Sequence, residues 1–251
     1  MIYNLFIMNA VQNVIEYYDE LYPVKESQKK FYSTLIENYP KPVKFLRVGC
    51  GTGYFEHLLA RDGHDVTGIE FCKELLESAN LKRRNQLMSI RFFQMTTLEM
   101  TRFLGKGFYN VISCLHDRII FIHDQTLLRK FFFDCKQLLK EDGKLVIQLN
   151  NYGMYDRSLL IKLPEKESIR TKLYTEIIPR ENGEQYLSQE LETGNGKILP
   201  VVEEEPVYTI NPEEIRRDAE EAGFTKCEFY ADFEKNPFVP DESRELIAVF
   251  S

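Results

Sequence analysis

From Thr126 to Leu139 the apolar side chains fall at Leu127, Leu128, Phe131, Phe132, Cys135, Leu138 and Leu139. That is the helical period, and it predicts an amphipathic helix with one buried stripe. Upstream, residues 8–38 read as helical with a break near Pro23, and Pro40 and Pro42 punctuate the chain. Short apolar runs then alternate with helical spacing. Val43–Val48 reads as a strand, Tyr54–Ala60 as a helix ended by Asp62-Gly63, and Asp65–Glu70 as a second strand. Lys73–Asn80 reads as a helix, and Ile90–Gln94 and Tyr109–Cys114 as strands. Asp142-Gly143 is expected to turn the chain into a fifth strand, Lys144–Leu149. Strands alternating with helices in this way predict a parallel sheet with helices on both faces.

The pattern changes after Asn151. Ile169, Thr171, Leu173, Thr175 and Ile177 alternate with polar positions, Asn182-Gly183 is a tight-hairpin signal, and Gly194-Asn195-Gly196 marks a second turn. Residues 155–207 therefore read as an antiparallel insert, expected to roof the substrate side. Asn211, Pro212 and Glu214 then open a helix with a capping box, Gly223 stops it, and Cys227–Ala231 and Leu246–Phe250 close the sheet. The expectation is one domain over 1–251. It comprises an N-terminal helical segment 1–42, a cofactor-binding core 43–154, the insert 155–207, and a closing helix and strands 208–251.

Composition narrows the function. Hydrophobic residues make up 43% and charged residues 28% of the chain, the balance of a globular protein that buries its own core. A net charge of −7 argues against a protein that works along a nucleic-acid backbone. Met1 to Ala10 is apolar but lacks the positive flank of a signal peptide, and no run approaches the ~20 apolar residues of a membrane span. Five scattered cysteines without a CxxC read as free thiols in a reducing compartment, and the four histidines show no zinc spacing, so no metal is expected. The expected location is cytoplasmic, with a small-molecule substrate as partner, no membrane partner, and room for a homo-oligomer.

Chemistry concentrates after the first strand. Gly49-Cys50-Gly51-Thr52-Gly53 lies between a strand and a helix, where glycines let the chain turn tightly and a ligand approach its backbone. The crevice of such a sheet lies outside the carboxyl ends of its strands. Glu70 ends the next strand, seventeen residues after Gly53, where a carboxylate can accept hydrogen bonds from ribose hydroxyls. The spacing is not the GxGxxG of nicotinamide-dependent enzymes.

The runs Phe45-Leu-Arg-Val-Gly-Cys-Gly-Thr-Gly-Tyr54, Val66-Thr-Gly-Ile-Glu70 and Leu139-Lys-Glu-Asp-Gly-Lys-Leu-Val-Ile-Gln148 resemble three motifs of the class I S-adenosylmethionine-dependent methyltransferases. Tyr17-Tyr-Asp-Glu-Leu-Tyr-Pro23, Val111-Ile-Ser-Cys-Leu115, Glu221-Ala-Gly-Phe224, Tyr230-Ala-Asp-Phe233 and the insert are similar to the glycine and sarcosine N-methyltransferases. The resemblance covers nearly the whole chain. It implies a Rossmann-like, mostly parallel seven-stranded sheet and S-adenosylmethionine as cofactor. It implies that Gly49, Cys50, Gly51 and Gly53 line the cofactor's methionine part and that Glu70 holds its ribose. Phe71 would meet adenine, Thr96 and Thr97 its amine, and Leu115 the methyl region. Tyr18 would close over the cofactor, and His116 and Asp117 would serve catalysis on a small-molecule acceptor, an amine.

Three positions depart from the family pattern. Arg47 stands where an acid precedes the first glycine by two, Thr96 where an acid follows the third strand, and His116-Asp117-Arg118 where a glycine-containing loop follows the fourth. A guanidinium about 4 Å from the cofactor's ammonium would cost on the order of 4 kcal/mol at an effective dielectric near 20, roughly a thousandfold in binding. Arg47 has a stem long enough to reach solvent, Glu70, Asp117 or the cofactor's carboxylate. Two readings stay open on the sequence: a working methyltransferase, and a catalytically degenerate scaffold or binder of another nucleoside. In the working enzyme, Arg157, Arg170 and Arg180 of the insert are candidates to read an acidic acceptor.

Overall fold

Seven strands form the main sheet of the computed structural model, which describes residues 10–82 and 89–251. They are β1 (Lys44–Val48), β2 (Asp65–Glu70), β3 (Ile90–Gln94), β4 (Tyr109–Cys114), β5 (Leu139–Asn150), β11 (Cys227–Tyr230) and β12 (Glu245–Phe250). The order is β11-β12-β5-β4-β1-β2-β3. Neighbours from β3 to β5 pair in parallel, and β12 runs against both β5 and β11. The strand order reverses between β1 and β4. Right-handed crossovers therefore send helices to opposite faces and leave a crevice at the carboxyl ends of these two strands. This is the expected Rossmann-like α/β fold, with the expected additional antiparallel sheet.

Each helix buries its apolar stripe. Phe31, Tyr32 and Leu35 are buried in α1 (Glu26–Leu35), and Phe55, Leu59 and Ala60 in α2 (Tyr54–Arg61). Leu75, Leu76 and Ala79 are buried in α3 (Lys73–Lys82), and Leu128, Phe131, Phe132, Cys135 and Leu138 in α4 (Gln125–Leu138). Asp124 caps α4 by accepting the Leu127 N–H at 2.9 Å. α5 (Pro212–Glu221) opens on a reciprocal box in which Asn211 Oδ1 accepts the Glu214 N–H and Glu214 accepts the Asn211 N–H, each at 2.9 Å.

One junction differs from the pattern reading. The α4 helix stops at Leu138, because Leu139 is already extended and pairs with Tyr109 of β4. The next pair is Val111 with Lys144, so the residues expected to form a separate turn at Asp142-Gly143 bulge within one long strand.

The chain divides into two compact units: 24–154 with 210–251, and 155–209 with the described part of 1–23. The second contains β6 (Ile161–Lys162), β7 (Lys166–Glu167), β8 (Thr171–Pro179), β9 (Gln185–Thr193) and β10 (Ile198–Val207). These are antiparallel in the order β10-β9-β8-β6, with β7 also on β8. Thr171, Leu173, Thr175 and Ile177 alternate inward on β8, as expected, but Ile169 precedes the strand and is wholly exposed. Gly183 and Gly196 adopt φ of 83° and 77° in the two turns. In the N-terminal part of this unit, residues 10–15 and Tyr18–Leu21 are helical. The apolar residues 1–9 read as the start of a helix lie outside the described residues. No helix among the described residues is long and apolar enough to cross a membrane.

Candidate functional site

The turn after β1 is built on three left-handed glycines, Gly49, Gly51 and Gly53, with φ of 67°, 57° and 70°. The Gly49 and Cys50 N–H groups both donate to the Ile69 carbonyl at 3.0 Å, and the Gly53 N–H donates to the Cys50 carbonyl at 3.0 Å. A Cβ at Gly53 would stand 2.6 Å from Phe92 Cζ, and one at Gly49 would stand 2.8 Å from Arg118 Cγ. No other residue type fits there without displacing those side chains.

Glu70, 5% exposed at the end of β2, fastens this turn. Its Oε2 accepts the Gly51 N–H at 2.9 Å and its Oε1 accepts the Cys72 N–H at 3.0 Å. A carboxylate has about four acceptor sites. Two backbone bonds therefore leave it able to receive ribose hydroxyls. Burial, with Glu56 and Glu70 nearby, pushes the Cys50 thiol well up, while Arg47 and Arg118 oppose that shift. Cys50 thus offers the site its backbone and not a thiolate.

Arg47 is 5% exposed and lies on β1 between Gly68 of β2 and Ser113 of β4. Its head reaches neither solvent nor the expected carboxylates. It faces Glu56 of α2, with Nε 3.4 Å from Glu56 Oε1 and both side chains buried. Arg47 Nε and Nη1 make no hydrogen bond among the described residues. Beside the pair, the Tyr32 hydroxyl donates to Ser113 Oγ at 2.8 Å. Burial drives the Tyr32 hydroxyl up to about 12, against the pull of Arg47 and of the Ser113 bond. Glu56 cancels the charge that the sequence sets against a cofactor ammonium. The glycine turn, the fixed carboxylate and this neutral pair together fit S-adenosylmethionine.

After β3, the Met95 N–H donates to the Glu70 carbonyl at 3.1 Å, which ties this segment to the end of β2. Thr96 donates both its N–H and its hydroxyl to Glu99 Oε2 at 2.9 Å, and Thr97 begins the turn Thr97–Glu99. Those two bonds lower the Glu99 carboxyl below its usual range. A carboxylate is therefore present in this segment, three residues beyond Thr96. Phe71 is 71% exposed, next to Glu70.

After β4, the Leu115 side chain is fully buried in the core, so a ligand could meet only its backbone. His116 and Asp117 follow with φ of 58° and 59°. Two successive non-glycine residues in this region cost of order 1–3 kcal/mol each, and such strain gathers at functional sites. The surroundings impose it. The Asp117 N–H donates to the Gln148 carbonyl at 3.2 Å, and the His116 N–H to Gln148 Oε1 at 3.4 Å. Asp117 Oδ1 accepts the Asn150 N–H at 2.6 Å and the Tyr152 hydroxyl at 3.2 Å, and Oδ2 accepts Asn150 Nδ2 at 2.7 Å. The Asp117 carboxylate is thus fixed in one orientation by β5 and the turn beyond it.

The structure bonds Gly51 to Glu70 and Gly53 to Cys50, ties Gly49 and Cys50 to the carbonyl of Ile69 beside Glu70, and brings the loop after β4 onto Gly49 through Arg118. Tyr18 belongs to the smaller unit, where its ring lies 4.7 Å from that of Tyr22. Among the insert's cations, Arg170 is held by Glu16 at 2.8 Å and Glu20 at 2.5 Å, and Arg180 by Glu204. Arg157 donates to the Thr209 carbonyl at 2.5 Å. All three, expected as candidates to read an acidic acceptor, are engaged within their own unit. Pattern reading missed Glu56, Arg118, Asn150 and Tyr152. It also missed Glu99, although Thr96-x-x-Glu99 is itself a capping-box signal.

The family described as a methyltransferase domain matches residues 45–143. A Geobacillus protein named a "putative methyltransferase" is 28% identical over 208 residues, covering 81% of this chain and 82% of that protein. The glycine/sarcosine N-methyltransferase of Aphanothece halophytica is 28% identical over 150 residues, 57% of this chain and 55% of that enzyme. Among solved structures, the CcbJ methyltransferase of Streptomyces caelestis superposes with a TM-score of 0.74 at 17% identity, over 94% of this chain and 95% of that one. The S-adenosylmethionine-bound amino pentose methyltransferase CalS10 of Micromonospora echinaspora gives 0.65 at 15% identity, over 94% and 96%.

Proposed function

We propose, for a chain that is a class I S-adenosylmethionine-dependent methyltransferase, that the acceptor is a small molecule and that the methyl group goes to its amine nitrogen. The cofactor supplies an electrophilic methyl group on a sulfonium. The chain's own residues bind, orient and keep water away. Gly49, Cys50, Gly51 and Gly53 carry the methionine part, Glu70 takes the ribose hydroxyls, and the exposed Phe71 ring lies along adenine. Thr96 and Thr97, with the Glu99 carboxylate behind Thr96, face the adenine amine.

His116 takes the proton from the acceptor nitrogen, and Asp117 sets the position of His116. The observation that carries this assignment is the pair of left-handed residues His116 and Asp117, pinned at the carboxyl end of β4 by Gln148, Asn150 and Tyr152. An amine needs only to be deprotonated and aimed, which suits a site with one imidazole and a fixed carboxylate. The names of two similar proteins, a glycine/sarcosine N-methyltransferase and an amino pentose methyltransferase, support an amine acceptor. The net charge of −7 supports a small acceptor over nucleic acid.

The test is release of S-adenosylhomocysteine during incubation with S-adenosylmethionine and panels of small amines, amino sugars and phenols. Turnover of an amine is expected, with His116→Ala lowering kcat about 10²–10⁴-fold and leaving the KM for the cofactor unchanged. Turnover of phenols alone, or an undiminished His116→Ala enzyme, would overturn the assignment.

A further inference from the structure

We infer that Glu245 is the carboxylate that docks the acceptor as an ammonium ion, an inference that rests on the amine acceptor just proposed. Proton chemistry requires such a group. An aliphatic amine that ionises like a lysine side chain, with a pKa of about 10.4, is almost wholly an ammonium at neutral pH. The site therefore receives a cation before His116 takes its proton. S-adenosylmethionine carries a sulfonium and an ammonium against a single carboxylate, so a bound cofactor repels that cation. A carboxylate with no cation of its own offsets the repulsion and holds the nitrogen by charge-assisted hydrogen bonds.

The other carboxylates at this end of the sheet are engaged. Glu70 accepts from the Gly51 and Cys72 backbones, Glu99 accepts from Thr96, and Glu56 lies against Arg47. Asp117 accepts from the Asn150 backbone, the Asn150 amide and the Tyr152 hydroxyl. Glu245 differs. It is half-buried, its hydrogen bond comes from the neutral Gln148 Nε2 at 3.5 Å, and it is in no ion pair among the described residues.

The fold sets Glu245 in the same cluster as His116. β12 runs against β5 with Glu245 directly opposite Asn150. Opposed residues of an antiparallel pair share a face, as do residues two apart on one strand. Glu245, Asn150 and Gln148 therefore share one face at the carboxyl end of β5, where β12 begins. The loop after β4 packs on that face: Gln148 Oε1 accepts the His116 N–H at 3.4 Å, and Asn150 Nδ2 donates to Asp117 Oδ2 at 2.7 Å. The Gln148 amide thus touches both the docking carboxylate and the residue proposed to deprotonate the docked ammonium. Glu245 selects acceptors that arrive charged, and His116 acts on them.

The experiment follows the His116 ring by NMR in protein saturated with S-adenosylhomocysteine, as methylammonium chloride replaces sodium chloride at constant ionic strength. The His116 signals are those lost in His116→Gln. Glu245→Gln keeps an oxygen to accept from Gln148 Nε2 and removes the charge. In wild type, methylammonium is expected to shift the His116 ring signals with half-saturation on the order of 10 mM, near the limit for so small a ligand. In Glu245→Gln the half-saturation should rise about tenfold or more, as for loss of a hydrogen bond to a charged group, while S-adenosylhomocysteine affinity and thermal unfolding stay near wild type. Equal half-saturation in the two proteins, no response in wild type, or a parallel loss of S-adenosylhomocysteine affinity in Glu245→Gln would each overturn the inference alone. Failure of wild type to bind S-adenosylhomocysteine would overturn the pocket assignment with it, and turnover of phenols alone would overturn the amine acceptor with it.

Discussion

The Gly51 N–H donates to Glu70 Oε2 at 2.9 Å, and this bond fixes the turn after β1 to the end of β2. The residue expected to hold the ribose is therefore also the one that shapes the backbone beside it. Binding and loop geometry share a single carboxylate.

Glu70→Gln is expected to lose on both counts. The amide would set an NH2 donor against the N–H of either Gly51 or Cys72. The expected cost is about 1–3 kcal/mol for the buried donor left unsatisfied. Urea unfolding should show it as lower stability, and titration with S-adenosylhomocysteine as weaker binding. A variant that kept wild-type stability and affinity would remove Glu70 from both roles.

The buried pair of Arg47 and Glu56 predicts strong coupling. Arg47→Met leaves a carboxylate alone in the core and Glu56→Leu leaves a guanidinium, each costing about 3–5 kcal/mol. The double variant Arg47→Met/Glu56→Leu removes both charges and should be more stable than either single variant. Additive losses in a double-mutant cycle would mean that the two side chains do not act as a pair.

Gly53→Ala combines two faults. Its Cβ would approach Phe92 Cζ to 2.6 Å, and its backbone sits at a φ of 70°. The left-handed conformation alone costs an L-residue about 1–2 kcal/mol. Thermal unfolding should shift down in Gly53→Ala, and Gly53→Ala/Phe92→Leu should recover the clash but not the strain. Full recovery in the double variant would show that φ is unimportant there.

His64 predicts acid sensitivity. Burial first, then the Lys41 charge, lowers its pKa below the ordinary value of 6.5, and its Nδ1 accepts the Val43 N–H at 3.3 Å. The folded state thus holds the neutral ring and the unfolded state binds a proton more readily. The stability it contributes is present above pH 6.5 and is lost as pH falls below that value towards the lowered folded pKa. Chemical unfolding between pH 7 and pH 5 should show this decline, and His64→Gln should flatten it. An identical decline in His64→Gln would assign it to other groups.

Much of the fold was legible because its signals are local. The period of Leu128, Phe131, Phe132 and Cys135, the strand–glycine–helix order around Gly49, and the box at Asn211 and Glu214 each lie within a few residues. The rest was not legible because it depends on partners far apart in the chain. Glu56 sits among helical positions like any solvated charge, and only the packing of α2 on the sheet turns it towards Arg47. The contact of Arg118 with Gly49 requires β1 and β4 to be neighbours. The left-handed pair at His116 and Asp117 is imposed by Gln148 and Asn150 of β5, which no local pattern reports. The bulge in β5 likewise arises from pairing with Tyr109 and Val111 and not from the turn residues themselves.

The central claim is that a pocket with a buried arginine before its first glycine still takes the cofactor, because Glu56 neutralises that arginine. The most direct measurement is calorimetric titration of the wild-type protein with S-adenosylmethionine and S-adenosylhomocysteine. A Kd on the order of micromolar, about −8 kcal/mol, is the predicted result for at least one of them. Absence of heat at millimolar ligand would contradict the claim and would leave the fold without its cofactor.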